Sequence, residues 1–539
     1  MEVSVMGSSQ AAISRSELLG YGELIRFAVR NKKNNFNSVR LFNSFRKSSS
    51  LRFTLNAVQT QTLRSNNGSS SNLFDCPVSS PSSNSQDGVR LFVGLPLDAV
   101  SDCKTINHAR AIAVGLKALK LLGVEGIEMP VWWGVAEKEA MGKYDWSGYL
   151  TLAEMVQSAG LKLHVSLCFH ASKQPKIPLP EWVSRIGESD PDIFYKDRSG
   201  NRYRECLSLA VDNLPVLDGK TPIQVYKDFC ESFKSLFSQF LGSTITGITM
   251  GLGPNGELRY PSDHRAAAKN KITGVGEFQC YDKNMLNLLK QHADATGNPL
   301  WGLGGPHDVP SYDQLPNSTS FFKDNGGSWE SSYGNFFLSW YSSELLFHGD
   351  RILSVAAAAF SDTDVTAYGK LPLIHSWYKT RTHPLELTAG FYNTVHRDGY
   401  DAVSEIFARN SCKMILPGMD LSDEHQESLS SPELLLAQIR KACKKHGVEV
   451  SGQNLSVSKA SHRFEKIKKN VSGENAIDLF MYQRMGAEFF SPEHFPSFTG
   501  FVRSLNQLEI HTDDLLEKER EAVECPETSS ESSIQMQVA

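Results

Sequence analysis

Eight short apolar runs, helical patterns between most of them, and polar or aromatic residues just beyond their carboxyl-terminal ends predict an α/β chain. The expected architecture is a (β/α)8 TIM barrel, with long loops forming a cleft at the carboxyl ends of the strands. The runs are residues 89–95, 126–132, 161–168, 245–250, 299–303 (the weakest), 370–375, 412–416 and 448–451. Between the first two, Ile112, Leu116 and Leu119 recur at helical spacing. A later helix opens with Ser431-Pro432-Glu433 as cap and first turn and stops at Gly447. The segments after the third and fourth runs are long and are expected to wall the cleft.

The chain has 539 residues, 40% of them hydrophobic and 21% charged, which fits a soluble globular protein with a large core. A net charge of −5 gives no reason to expect nucleic acid or an anionic membrane as partner. No apolar run reaches the roughly 18 residues that a bilayer span needs. The nine cysteines contain no CxxC pair, so Cys168, Cys206, Cys230, Cys280 and Cys412 read as reduced core or site residues rather than a disulfide framework.

Composition divides the chain into three. Residues 1–50 hold eight Lys or Arg against three acids, with many Ser and Asn, and their apolar pieces are broken by Gly and Glu. Residues 1–85 therefore read as a disordered organelle transit peptide, not a secretory signal. Residues 86–510 read as the barrel. Residues 511–539 read as a disordered tail, acidic and Ser-rich from Asp513 onward.

The segment Gly251-Leu-Gly-Pro-Asn-Gly-Glu-Leu-Arg-Tyr-Pro-Ser262 places Glu257 in a glycine-rich turn just after the fourth run. A carboxylate there can give a proton to a substrate, whereas a surface Glu after an Asn-Gly turn is the plain reading of that segment alone. Other run ends lead into Val131-Trp-Trp-Gly134, Phe169-His170, His375-Ser-Trp-Tyr378 with Lys370 at the start of its run, and Gly452-Gln453-Asn454. Aromatic faces beside Glu, His and Lys suit a polyhydroxylated ring, stacking on its C–H groups while polar side chains take hydroxyls. Any one of these residues is more often barrel packing; it is their convergence on one face that points to a site.

Four further segments, Val131-Trp-Trp-Gly134, Gly274-Val-Gly-Glu-Phe-Gln-Cys-Tyr-Asp-Lys283, Phe336-Phe-Leu-Ser-Trp-Tyr341 and Glu386-Leu-Thr-Ala-Gly-Phe-Tyr-Asn393, occur in this order. Together with the Glu257 segment they resemble plant β-amylases, family 14 glycoside hydrolases, over residues 91–501. The resemblance implies release of maltose from the non-reducing ends of starch, with inversion at the anomeric carbon. Such a mechanism needs an acid and a water-activating base about 6.5–9.5 Å apart. By the same resemblance Glu257 is the acid, and His170, Lys370, His375, Asn454 and Arg484 contact sugar or support the carboxylates. Strands four and eight, carrying acid and base positions, are expected to face each other across the barrel. No metal and no cofactor are implied.

The departures from the family pattern lie where the chemistry would be. The family's base occupies a Gly-Glu-Asn-Ala-type segment, which here reads Gly452-Gln453-Asn454-Leu455. Gln453 has nearly the shape of Glu, but its amide cannot take a proton from water. The flexible, Gly-rich lid with its Asp is replaced by the shorter Ala171-Ser-Lys-Gln-Pro-Lys176. A sugar-holding Asp has become Pro130, a base-assisting Thr has become Pro417 in Leu416-Pro-Gly-Met-Asp-Leu421, and Ser376 replaces a Trp. Gly473-Glu-Asn-Ala476 repeats the base motif as a decoy, with no strand leading into it.

The leading expectation is a catalytically inactive, plastid-stromal relative of the β-amylases that regulates starch breakdown by binding a maltooligosaccharide, starch or another starch-degrading enzyme. One alternative is a weak exo-1,4-α-glucanase in which Asp420 or Glu474 substitutes as base. Another is a protein-interaction scaffold that no longer binds glucan.

Overall fold

Each barrel strand is short and buried on both faces, and it can bury its backbone only by pairing on both edges. The computed structural model describes residues 88–266, 273–458 and 460–506. The strands in chain order are β1 (Arg90–Gly94), β2 (Gly126–Trp132), β3 (Lys162–Cys168), β4 (Phe194–Lys196), β5 (Arg202–Leu207), β6 (Ile245–Met250), β7 (Thr366–Lys370), β8 (Lys413–Leu416), β9 (Val450–Gln453) and β10 (Leu479–Tyr482). Eight of them close into a barrel of order β1-β10-β9-β8-β7-β6-β3-β2. All neighbours in it are parallel. β4 and β5 form a separate antiparallel hairpin inside the insertion that follows β3. The proposed transit segment 1–85 and the tail 511–539 lie outside the described residues.

The barrel's interior is filled, not open. Phe92, Tyr368, Ile415, Leu479 and Met481 pack together there. His164 joins them, its Nε2 2.7 Å from Thr249 Oγ1 and its ring edge-on to Tyr368 at 4.8 Å. Gly247 makes room for it, because a Cβ there would lie 2.5 Å from His164 Nδ1. Outside, helix Ala109–Leu122 buries Ile112, Leu116 and Leu119 as its periodicity predicts, and Gly123 ends it at φ 95°. Helix Pro432–His446 is capped by Ser431, whose Oγ accepts from Leu434 N at 3.2 Å, and stops at Gly447 with φ 70°. Among the described residues no helix is long and apolar enough to cross a membrane.

Four sequence expectations need correction. Residues 299–303 are not a strand: Pro299–Gly302 is a 3-10 helix with proline in its first turn. The missing barrel strand is β10, four residues whose continuous burial gives no alternation to read. The run 370–375 is not the sixth strand either. Pro372 has no N–H for a ladder, so β7 ends at Lys370, which stands at the carboxyl end and not at the start. Gln453 consequently closes the seventh barrel strand, three places round from β6, and β10 is the strand opposite β6.

Burial pushes His164 down to about 3 and, with Lys370 adding to the effect, His170 down to about 3. In the unfolded chain both bind a proton below about 6.5. Between those values only the unfolded state is protonated, so stability falls as pH drops through that window. Urea unfolding should show a loss on the order of 1 kcal/mol per histidine between pH 7 and 5.5. His164→Leu should flatten that slope.

Candidate active site

The loop after β6 is shaped to present one carboxylate. Gly251 lies against the Leu167 carbonyl, where a Cβ would come within 2.7 Å, and Gly253 adopts φ 147°, open only to glycine. Asn255 then turns at φ 56°, and Glu257 N donates to Pro254 O at 3.0 Å, closing the turn. From there the chain runs alongside the end of β7. Glu257 forms a backbone bridge with Lys370, and Leu258 N donates to Lys370 O at 2.9 Å. The side chains follow the backbone: Glu257 Oε1 is 3.3 Å from Lys370 Nζ and Oε2 is 3.9 Å from an Arg259 nitrogen. Arg259 in turn pairs with Asp263 at 2.5 Å.

His170, just past β3, stands beside a cavity of about 440 Å³ lined also by Leu97, Trp132, Lys173, Tyr203, Glu205, Asn255, Asp263, His264 and Arg484. Its ring meets Trp132 edge-on at 5.2 Å. The Trp132 indole is itself pinned by donating to Leu97 O at 2.7 Å. Burial keeps His170 neutral at ordinary pH, and its buried Nδ1 has no partner within the protein. A neutral imidazole beside a fixed indole suits a sugar ring, whose C–H face and hydroxyls meet aromatic and uncharged polar groups. A larger groove, about 990 Å³, lies between helices Pro222–Leu236 and Ser332–Phe360 and includes Leu241 and Asp364 at the amino ends of β6 and β7. It is at the other end of the barrel from Glu257.

The base side of the mouth is knitted shut. Gln453 is 6% exposed. Its carbonyl accepts from Met419 N at 2.9 Å, and its amide nitrogen faces the Met481 sulfur at 4.0 Å. The Asn454 side chain is committed to the neighbouring strand end: Nδ2 donates to Gln483 O at 2.8 Å, and Oδ1 accepts from Gln483 N at 2.6 Å. His375 is half-buried, with Nδ1 unpartnered and its pKa lowered by burial. Arg484 donates to Leu95 O at 2.5 Å and lies 3.6 Å from Glu128.

Neither proposed substitute for the base is free to act. Asp420 is buried: Oδ1 accepts from Leu455 N at 2.7 Å and Oδ2 from Arg463 at 2.8 Å. Burial raises its pKa even so. Glu474 sits in the exposed 3-10 helix Gly473–Asn475, which precedes β10 and so lies at the amino end of the barrel. The shortened lid is a closed hairpin: Ser172 N donates to Ile177 O at 2.8 Å and Ile177 N to Ser172 O at 2.9 Å. Lys173 ties it to Glu205 at 3.1 Å.

Glu386, in one of the segments that carry the family resemblance, lies in the scaffold: it is fully buried and accepts from Tyr400 OH at 2.7 Å and Asn393 Nδ2 at 3.1 Å. One residue was overlooked in the sequence: Glu128, although a carboxylate inside an otherwise apolar strand is a readable signal.

The chain belongs to glycosyl hydrolase family 14, whose model it matches over residues 92–509. It is 59% identical to inactive beta-amylase 9 of Arabidopsis thaliana over 521 residues, 95% of each chain. It is 42% identical to chloroplastic beta-amylase 1 of the same plant, covering 78% of this chain and 76% of that one. Identity to the Arabidopsis inactive beta-amylase 4, chloroplastic, is 39%, over 78% and 82%. The solved catalytic domain of the Paenibacillus polymyxa beta-amylase superposes with a TM-score of 0.64 at 27% identity, covering 78% of this chain and 99% of that domain.

If Asp420 is a loop clamp, Asp420→Ala should lower stability by about 2 kcal/mol, because it strands Arg463 and the Leu455 amide. Glu474→Ala should stay within about 0.5 kcal/mol. Urea midpoints measured side by side check both.

Proposed function

We propose that this protein is a catalytically inactive β-amylase homologue of the plastid that binds short maltooligosaccharides at the His170 side of the barrel mouth and so regulates starch breakdown. The observation that carries the reading is that Gln453, where the family resemblance puts the base, is a buried amide whose nitrogen faces the Met481 sulfur. An inverting hydrolase with its acid but no base can hold a glycosidic bond but cannot activate water against it. Asp420 and Glu474 do not restore one, the first being doubly bonded and the second lying at the wrong end of the barrel. The pinned lid adds to the case, since a hairpin closed on itself cannot fold over a substrate and exclude water. Support for a plastid location comes from the basic, Ser-rich first 85 residues and from relatives named as chloroplastic.

The binding half of the proposal rests on the neutral His170 ring and the fixed Trp132 indole, which together line a cavity of about 440 Å³. Titration calorimetry with maltotriose should give measurable heat, and His170→Ala should weaken binding about ten-fold, the cost of one hydrogen bond at a buried site. No heat with any maltooligosaccharide would leave a scaffold that has lost its glucan. In a second measurement, incubation with soluble starch should release no maltose. Release by Gln453→Glu alone would identify the base as the one missing part, whereas silence in that variant would implicate the lid and Pro130 as well.

A further inference from the structure

The barrel mouth has a carboxylate below it that neither the acid–base scheme nor the sugar contacts use. Glu128 lies in the middle of β2, in register with Gly94 on one side and with His164, which packs inside the barrel, on the other. It therefore points into the barrel, two residues below Pro130 on the same inward face. Its side chain is 5% exposed. A buried carboxylate is costly unless it is paired. Its partners are Arg484, 3.6 Å away, and the Gln483 amide, whose nitrogen is 3.4 Å from Oε2. Gly94 accommodates the group: a Cβ there would lie 2.8 Å from Gln483 Oε1 and 2.9 Å from Glu128 Oε2.

The consequence concerns charge at the mouth. Arg484 lines the cavity and its side chain is 29% exposed, so a guanidinium free to turn outward would offer a planar anion fork to any ligand there. The other charges are already matched, Lys370 and Arg259 with Glu257, and Arg259 with Asp263. Glu128 is the group that completes the balance.

We infer that Glu128 is a specificity-determining residue: by holding the Arg484 guanidinium in an internal ion pair it keeps the cavity for neutral sugars and closes it to sugar phosphates. The ligand class rests on the sugar-binding reading of the same cavity, but the internal pairing of Arg484 does not. Two readouts keep them apart. The first needs no ligand: labelling of Arg484 with an arginine-selective dicarbonyl, followed by peptide mass spectrometry. Glu128→Gln keeps the shape and the contact with Gln483 while removing the charge, and should raise the labelling rate several-fold. Glu128→Met should raise it further, with urea midpoints reporting whether each variant is folded. The second is calorimetry with glucose 1-phosphate at low salt. The unmodified chain should bind it at least about ten-fold more weakly than Glu128→Gln, and adding Arg484→Gln to that variant should abolish the gain. An unchanged labelling rate in Glu128→Gln, or equal phosphate affinity with and without the Glu128 charge, overturns the inference. Absence of maltotriose binding to the unmodified chain would instead count against the glucan reading and leave the labelling result to stand.

Discussion

The backbone bridge between Glu257 and Lys370 fixes the geometry on which the rest of the mouth depends. β6 and β7 are neighbours in the closed barrel, and the loop after β6 returns to lay Glu257 beside the last residue of β7. The Glu257–Lys370 ion pair is thus set by the sheet and not by chance contact of two long side chains. The placement of Glu257 is therefore a property of the fold, independent of any chemistry at the mouth. Gly251, Gly253 and Asn255 are required by the turn itself, and Lys370 compensates a carboxylate whose side chain is only 13% exposed. Removing Glu257 would leave Lys370 without its partner, and removing Lys370 would leave the carboxylate only the more distant Arg259.

The Gln453 side of the mouth is built differently. Its buried amide nitrogen faces the Met481 sulfur, its backbone carbonyl accepts from Met419 N, and Asn454 cross-links two strand ends. Asp420 follows Met419 in the neighbouring loop, and it is consumed in holding that loop to Arg463 and the Leu455 amide. The two halves of the mouth therefore differ: one borders a cavity, and the other is tied by hydrogen bonds between strand ends. Two residues below Pro130, Glu128 meets Arg484 inside the barrel.

The sequence made the architecture readable because strand-and-helix alternation is a coarse signal that survives errors in single elements. The count of eight was right through two errors that cancelled. Residues 299–303 look apolar but carry Pro299 and Gly302, which favour a tight 3-10 turn. Leu479–Tyr482 was invisible because four buried residues with no polar alternation look like any hydrophobic patch. The segment that holds Glu257 was legible for a definite reason: Gly253, Gly256 and Asn255 take backbone angles that other residues resist, and Gly251 lies too close to the Leu167 carbonyl for a side chain. What the sequence could not convey was commitment. Asn454 and Asp420 carry the right chemistry, and only their hydrogen-bond partners show how each is engaged. The same holds for Glu128, whose meaning depends on an arginine more than 350 residues away in the chain.

On the proposed reading nothing in this mouth can activate water. α-Maltosyl fluoride isolates that step, because fluoride departs without needing a proton and the assay then reads the base alone. With the unmodified chain, fluoride release followed by an ion-selective electrode should stay at the rate seen without protein. Sustained release well above that rate, about 10²-fold or more as a positioned base supplies, would contradict the account and show that another group does the work of the missing glutamate.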